Sequence, residues 1–130
     1  MILLGILSTV AALALKNAFH RSRPAWDDPI LMIGSFSFPS GHAIAATLLY
    51  GFLAAFVVRK VQAWRWQVLA VLAAGLLILL IGFSRLYLGV HYLSDVLAGM
   101  AAGSAWLGLC LTAVGALRRH RVRRQGAGST

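Results

Sequence analysis

The residues with the clearest chemical potential lie in one short stretch, residues 84–95, between two long apolar runs. It contains Arg85, His91 and Asp95, and charged groups beside a membrane segment are costly to keep without a role. His91 and Asp95 are four residues apart, so a helix that begins near His91 would present both on one face. A carboxylate beside an imidazole fixes the tautomer of the ring, which leaves the other ring nitrogen free to attack or to accept a proton. Arg85 adds a cation whose geometry suits phosphate.

A second group of candidate residues precedes an apolar run and reads Pro-Ser-Gly-His at 39–42. The proline favours an extended approach, and Ser40 is a good helix N-cap. Gly41 lets the backbone come close to a ligand, and the first N–H groups of the following helix attract an anion. His42, at the start of that helix, is a candidate general acid. A plain helix cap with an incidental histidine is the alternative interpretation.

Two further cations lie upstream, Lys16 and, after six intervening residues, Arg23. A phosphate ester carries two negative charges, and more charge spreads over its equatorial oxygens as the ester bond breaks. Lys16, Arg23 and Arg85 would surround those oxygens. The alternative for Lys16 alone is that it ends a helix and extends to the membrane interface, as long basic side chains do. The three cations taken together favour phosphate binding.

The elements that position these residues are predicted to be membrane helices. The chain is 60% hydrophobic, and its apolar segments cover residues 1–15, 43–58, 66–84 and 96–117. A helix needs about 20 apolar residues to cross a bilayer, so the last two segments qualify directly and the first two with a short extension. The predicted fold is therefore an all-α integral membrane bundle of about four transmembrane helices, with a close helix contact at Gly99 and Gly103. A signal peptide over residues 1–18 is the competing interpretation, although it lacks a basic beginning.

Orientation follows from the basic residues. Arg59, Lys60 and Arg65 lie between the second and third spans, and the tail adds Arg118, Arg119, Arg121, Arg123 and Arg124. Such clusters remain on the cytoplasmic side and contact anionic lipid, so all candidate site residues are predicted on the opposite, extracytoplasmic surface. Much of the formal charge of +9 lies in the basic tail and is not spread over a face, so nucleic-acid binding is the weaker interpretation. The single cysteine, Cys110, permits no internal disulfide.

Together the three groups resemble the signature of the type 2 phosphatidic acid phosphatase superfamily, the lipid phosphate phosphatases, whose architecture is shared with vanadium haloperoxidases. The resemblance covers roughly residues 16–95, and the three motifs match in order and spacing. Membrane members of this family usually have six spans. The simplest expectation is that this chain lacks two N-terminal helices of the usual six, and a genuine compact form is the alternative. The predicted domains are a membrane phosphatase domain over residues 1–117 and a basic cytoplasmic tail over residues 118–130.

The resemblance implies a mechanism and a role for each matched position. His91 would be the nucleophile that forms a phosphohistidine, Asp95 would hold its ring, and His42 would protonate the leaving oxygen. The phosphate would be bound by Lys16, Arg23, Ser40, Gly41 and Arg85. The implied enzyme hydrolyses a lipid phosphate or diphosphate, of the undecaprenyl diphosphate, phosphatidic acid or phosphatidylglycerol phosphate class, without a metal or another cofactor. The Ala/Gly/Arg-rich composition suggests a bacterial plasma membrane, with the lipid and the bilayer as partners.

Three alternatives remain at this point. His42, His91 and Asp95 would make a zinc site in principle, but the three nearby cations repel a dication. A catalytically silent lipid-binding or transport protein of the same fold would be expected to have lost one of these three residues, and none is lost. Vanadate-dependent halide oxidation occurs in the same architecture, but those relatives are soluble.

Overall fold

The computed structural model of the chain describes residues 36–127, and this part is helical apart from its links. Helix α1 covers Gly41–Lys60, α2 covers Trp64–Tyr87 and α3 covers Leu93–Ala127. The stretches Gly41–Lys60, Trp64–Tyr87 and Leu93–Ala116 are each long and apolar enough to cross a membrane. The second, third and fourth predicted spans are thereby confirmed. The predicted span over residues 1–15 lies outside the described residues.

Helix α1 packs against both other helices, and α2 and α3 contact each other far less. Small residues on α3 allow the α1–α3 approach. A Cβ atom added at Gly99 would lie 2.7 Å from the Ser40 carbonyl oxygen, and one added at Gly103 would lie 2.9 Å from the Thr47 Cβ. Close backbone approach at small residues is a typical way to hold helices together in lipid, where the hydrophobic effect gives helices no reason to associate. The predicted contact at Gly99 and Gly103 is therefore confirmed.

The outer faces of the helices are apolar and exposed, as a lipid-facing surface requires. Leu72 of α2 is 64% exposed and Leu109 of α3 is also 64% exposed, although both are large hydrophobic residues. In water such a surface would drive aggregation. In a bilayer the same surface would be compatible with contact to lipid tails.

The link between α2 and α3 turns the chain sharply at the end of the bundle that carries the candidate residues. The Leu88 N–H donates to the Ser84 carbonyl over 3.1 Å, and the Val90 N–H donates to the Arg85 carbonyl over 3.3 Å. Gly89 has a φ of 65°, a conformation that costs a residue with a Cβ atom much more than glycine. Five residues, 88–92, therefore suffice to connect two membrane helices and bring Arg85 and His91 to the same end.

The helices extend beyond the predicted apolar segments. Each of α1 and α2 is about one turn longer than predicted, with added residues at both ends, among them Arg59 and Lys60 in the last turn of α1 and Arg85 in the last turn of α2. Helix α3 passes through the predicted boundary at 117/118 without a break and ends at Ala127. Arginine is a good helix former, so the change of polarity there does not end the helix. The basic tail is thus helical through Ala127, and its separation as a cytoplasmic unit stays a prediction.

Candidate active site

His91 and Asp95 form a buried pair where α3 begins. His91 is 6% exposed and Asp95 is 0% exposed. The Nδ1 atom of His91 lies 3.6 Å from Asp95 Oδ2. The Tyr92 N–H, immediately before the helix, donates to the same Oδ2 over 3.0 Å, as in half of a capping box. A carboxylate in the first turn is also favoured by the helix dipole, so local helix geometry fixes Asp95 and Asp95 in turn orients the imidazole.

Ser37 lies against this pair and was not among the residues predicted for the site. Its side chain is fully buried, its Oγ donates a hydrogen bond to Asp95 Oδ2, and it lies 3.4 Å from His91 Nδ1. The residues are 58 and 54 positions apart in the chain. Serine is common in loops, and nothing in its local sequence distinguishes a buried serine from a solvated one.

The Pro-Ser-Gly-His segment is attached to the same helix by its backbone. The Ser40 N–H donates to the Asp95 carbonyl over 3.0 Å, and the Ser40 carbonyl faces Gly99. The Phe38–Pro39 peptide bond is cis. Ser40 occupies the N-cap position of α1, as predicted, with extended backbone angles, but its hydroxyl makes no capping hydrogen bond. Among the described residues, the Ser40 Oγ is buried and has no hydrogen-bond partner.

His42 and Arg85 lie at the same end of the bundle. His42 is the second residue of α1 and is exposed, in contrast to His91. Arg85 lies in the last turn of α2, and its Nε atom is buried without a hydrogen-bond partner within residues 36–127. A buried polar atom without a partner is costly, so each one needs an explanation, and a bound ligand would supply the missing partner. Two are present here, one hydroxyl and one guanidinium N–H, and both are suited to phosphate oxygens.

Three further features concern the remaining predicted cations, a metal site and a cavity. Lys16 and Arg23 lie outside the described residues, so their phosphate-binding roles stay predictions. Across residues 36–127 no group of three His, Cys, Asp or Glu side chains is arranged to hold a metal ion. A cavity of about 580 Å³ lies toward the other end of the bundle, beside Arg59 of α1 and Arg119 of α3. None of the candidate catalytic side chains lines this cavity, so the cavity is not the candidate active site.

Comparison with known proteins identifies similar membrane phosphatases. The family model described as PAP2 superfamily matches residues 1–119. Phosphatidylglycerophosphatase B of Bacillus subtilis is 39% identical over 90 residues, which cover 68% of this chain and 44% of the relative. Lipid A 1-phosphatase of Rhizobium johnstonii is 36% identical over 121 residues, which cover 84% of this chain and 43% of the relative.

A solved structure agrees in fold as well. The crystal structure of a transmembrane PAP2-type phosphatidylglycerolphosphate phosphatase from Bacillus subtilis matches with a TM-score of 0.75 and 34% identity. The match covers 83% of this chain and 54% of that chain. The chain is accordingly an integral membrane protein. It spans about half the length of the curated relatives it matches.

Proposed function

This chain belongs to the PAP2 superfamily, and from that premise we propose that it is a metal-independent phosphatase that hydrolyses a lipid phosphate or diphosphate. One observation carries the proposal: the buried His91–Asp95 pair lies at the end of the bundle where two buried polar atoms, Ser40 Oγ and Arg85 Nε, have no partner in the described part of the chain. A phosphoryl group at this place would receive hydrogen bonds from both and would lie beside a nucleophile.

His91 is the proposed nucleophile. Its Nδ1 faces the Asp95 carboxylate, so the Nδ1 proton is held there and the lone pair resides on Nε2. In the first step Nε2 attacks phosphorus, the bond from phosphorus to the leaving oxygen breaks, and His42 gives that oxygen a proton. In the second step water attacks the phosphohistidine, His42 takes a proton from that water, and inorganic phosphate is released. Asp95 stabilises the positive charge that the His91 ring acquires in between.

The phosphate-binding groups come from all parts of the chain. Ser40, the first backbone N–H groups of α1 beginning at Gly41, and Arg85 would contact its oxygens from the described residues. Lys16 and Arg23 would supply two more positive charges. Donors that are already oriented toward the developing charge are usually the largest single contribution to such a reaction.

The substrate class and the membrane side are also part of the proposal. The names of the similar proteins include a phosphatidylglycerophosphatase, a lipid A 1-phosphatase and a decaprenylphosphoryl-5-phosphoribose phosphatase, so each relative is named for a lipid phosphate. Undecaprenyl diphosphate, phosphatidic acid and phosphatidylglycerol phosphate are the proposed candidates for this chain. Basic residues at the opposite end, Arg59, Lys60 and Arg65, favour a cytoplasmic location for that end and hence an exterior or periplasmic active site of a bacterial plasma membrane.

The test is phosphate release by the purified full chain from a panel of lipid phosphates and diphosphates, with His91→Ala as the control. The wild-type protein should release phosphate, form an acid-labile phosphoprotein, and lose both properties in His91→Ala. Binding of the lipids with no release of phosphate would refute the enzyme and support the alternative, a catalytically silent lipid-binding or transport protein.

A second comparison separates the roles of His42 and His91. If His42 only protonates the leaving oxygen, His42→Ala should lower activity on a lipid monophosphate by about a hundredfold to ten-thousandfold, because the alkoxide of that substrate leaves poorly. It should lose much less on a nitrophenyl ester, whose leaving group needs no proton, and should still accumulate the phosphohistidine. His91→Ala should lose activity on both substrates to the same extent. Equal losses of His42→Ala on both substrates would instead assign His42 to phosphate binding.

A further inference from the structure

We propose that Ser37 is a positioning residue that fixes the tautomer and orientation of His91 through Asp95. The inference rests on the proposed function, because it concerns the same nucleophile. Ser37 is fully buried and bridges the two residues: its Oγ donates to Asp95 Oδ2 and lies 3.4 Å from His91 Nδ1. None of the three motifs that identify the site includes it.

The direction of the hydrogen bonds follows from counting protons. A serine hydroxyl has one proton to donate, and in Ser37 that proton is directed at the ionised carboxylate of Asp95. The lone pairs of Oγ are then the only group that Ser37 can offer to His91. Nδ1 of His91 therefore has two acceptors nearby, Ser37 Oγ at 3.4 Å and Asp95 Oδ2 at 3.6 Å. Both acceptors require a proton on Nδ1, which leaves the lone pair on Nε2.

Ser37 also restrains Asp95 itself. The Oδ2 atom accepts from the Ser37 hydroxyl on one side and from the Tyr92 N–H, 3.0 Å away, on the other. These two donors come from different segments, so the carboxylate cannot rotate without breaking one of them. Loss of the Ser37 hydroxyl would remove the donor that reaches this carboxylate from outside α3 and the link before it.

The Ser37 hydroxyl is not the sole attachment of the loop to α3. The Ser40 N–H bond to the Asp95 carbonyl, 3.0 Å long, and the contact of the Ser40 carbonyl with Gly99 are made by backbone atoms. Removal of the Ser37 hydroxyl should therefore leave the fold in place and change mainly the chemistry. This property makes the proposal testable by substitution.

The experiment uses the full chain in detergent with a short-chain phosphatidic acid as substrate. Ser37→Ala removes the donor, and Ser37→Cys keeps a side chain of the same shape but replaces the hydroxyl by a somewhat larger thiol that is a much weaker donor. Each should lower kcat by about tenfold to a hundredfold, the range for loss of a hydrogen bond to a charged group, with KM within twofold of the wild type. Ser104→Ala, an exposed serine in the middle of α3, is the matched control and should match the wild type in both constants.

Each outcome decides between defined roles. An unchanged kcat in folded Ser37→Ala overturns the proposal, and so does a raised KM with kcat unchanged. A loss in Ser37→Ala that Ser37→Cys fully restores would show that Ser37 only fills space, and that also overturns it. If Ser37→Ala fails to fold, Ser37→Cys alone decides, because it leaves no cavity and weakens the hydrogen bond.

A second readout needs no turnover and separates this inference from the proposed function. In the chain labelled with ¹⁵N-histidine, the His91 signal is assigned by its loss in His91→Gln. The wild-type ring should carry its proton on Nδ1, and Ser37→Ala should shift that nitrogen whereas Ser104→Ala should not. A proton on Nε2 would overturn the inference even in an active enzyme. An inactive wild type with the expected signals would refute the proposed function and leave the positioning role supported.

Discussion

Replacement of Gly99 by alanine should disturb both the α1–α3 seam and the active site. The new Cβ would lie 2.7 Å from the Ser40 carbonyl oxygen and 2.9 Å from the Ala43 Cβ, and ordinary contact begins only at 3.4 Å. The nearest atom belongs to the backbone, so rotation of a side chain cannot relieve this clash. The start of α1 would have to move from α3 by about 0.7 Å to reach ordinary contact.

This displacement sets the expected magnitudes. The hydrogen bond from the Ser40 N–H to the Asp95 carbonyl, now 3.0 Å long, would stretch beyond the range of a hydrogen bond. Overpacking of this kind costs about 1–3 kcal/mol of stability. A misplacement near 1 Å costs about a hundredfold in rate, so Gly99→Ala should lose about tenfold to a hundredfold in kcat/KM.

Two other glycines of α3 serve as matched controls. A Cβ at Gly108 meets nothing within 4 Å, so Gly108→Ala should leave both stability and activity unchanged or slightly improve stability. At Gly103 the Cβ would lie 2.9 Å from the Thr47 side chain, one turn further from the site, so Gly103→Ala should lose stability with a smaller loss of activity. Thermal unfolding in detergent and phosphate release from phosphatidic acid measure the two quantities. Gly99→Ala with the stability and activity of Gly108→Ala would refute the reasoning.

Two further predictions concern topology and inhibition. In a Cys110→Ser background, cysteines introduced at Tyr87, which is 79% exposed at the site end, and at exposed Gln62 in the α1–α2 link should react with an impermeant reagent from opposite sides of the membrane. Labelling from one side would refute the arrangement of spans. Activity should persist in a strong chelator and be inhibited by vanadate, which resembles five-coordinate phosphorus at His91. Complete loss in chelator that a divalent ion restores would contradict the proposed roles.

The helices and the family could be predicted from the sequence for physical reasons. An apolar run of membrane length has few structural alternatives, because a chain in lipid must satisfy its backbone hydrogen bonds internally. The predicted spans over residues 43–58, 66–84 and 96–117 therefore agree with α1, α2 and α3 except at their ends. The three motifs combined residue types with fixed spacing, and the resemblance that they indicated is confirmed by the family match over residues 1–119.

The contacts across the site could be predicted less well from the sequence. The four-residue spacing predicted that His91 and Asp95 share a face, because helix geometry is periodic. Ser37 reaches the same pair from 54 and 58 residues away, and no periodicity connects a loop to a distant helix. Ser40 was predicted as an N-cap from its residue type, but its hydroxyl makes no capping bond. Residue type alone does not determine which of several nearby donors and acceptors a hydroxyl selects.

The position of the site at the helix ends follows from the energetics of burying Asp95 in a membrane protein. A carboxylate in the middle of α3 would find every backbone N–H already engaged within the helix and would remain without donors. In the first turn it obtains the Tyr92 N–H, the Ser37 hydroxyl and a favourable helix dipole. The same argument applies to the anionic substrate that we propose at the start of α1, since only the first turn of a helix has N–H groups to offer. Because phospholipid headgroups lie at this depth of the bilayer, the place where the protein can hold charge most cheaply is also the place where a lipid phosphate is found.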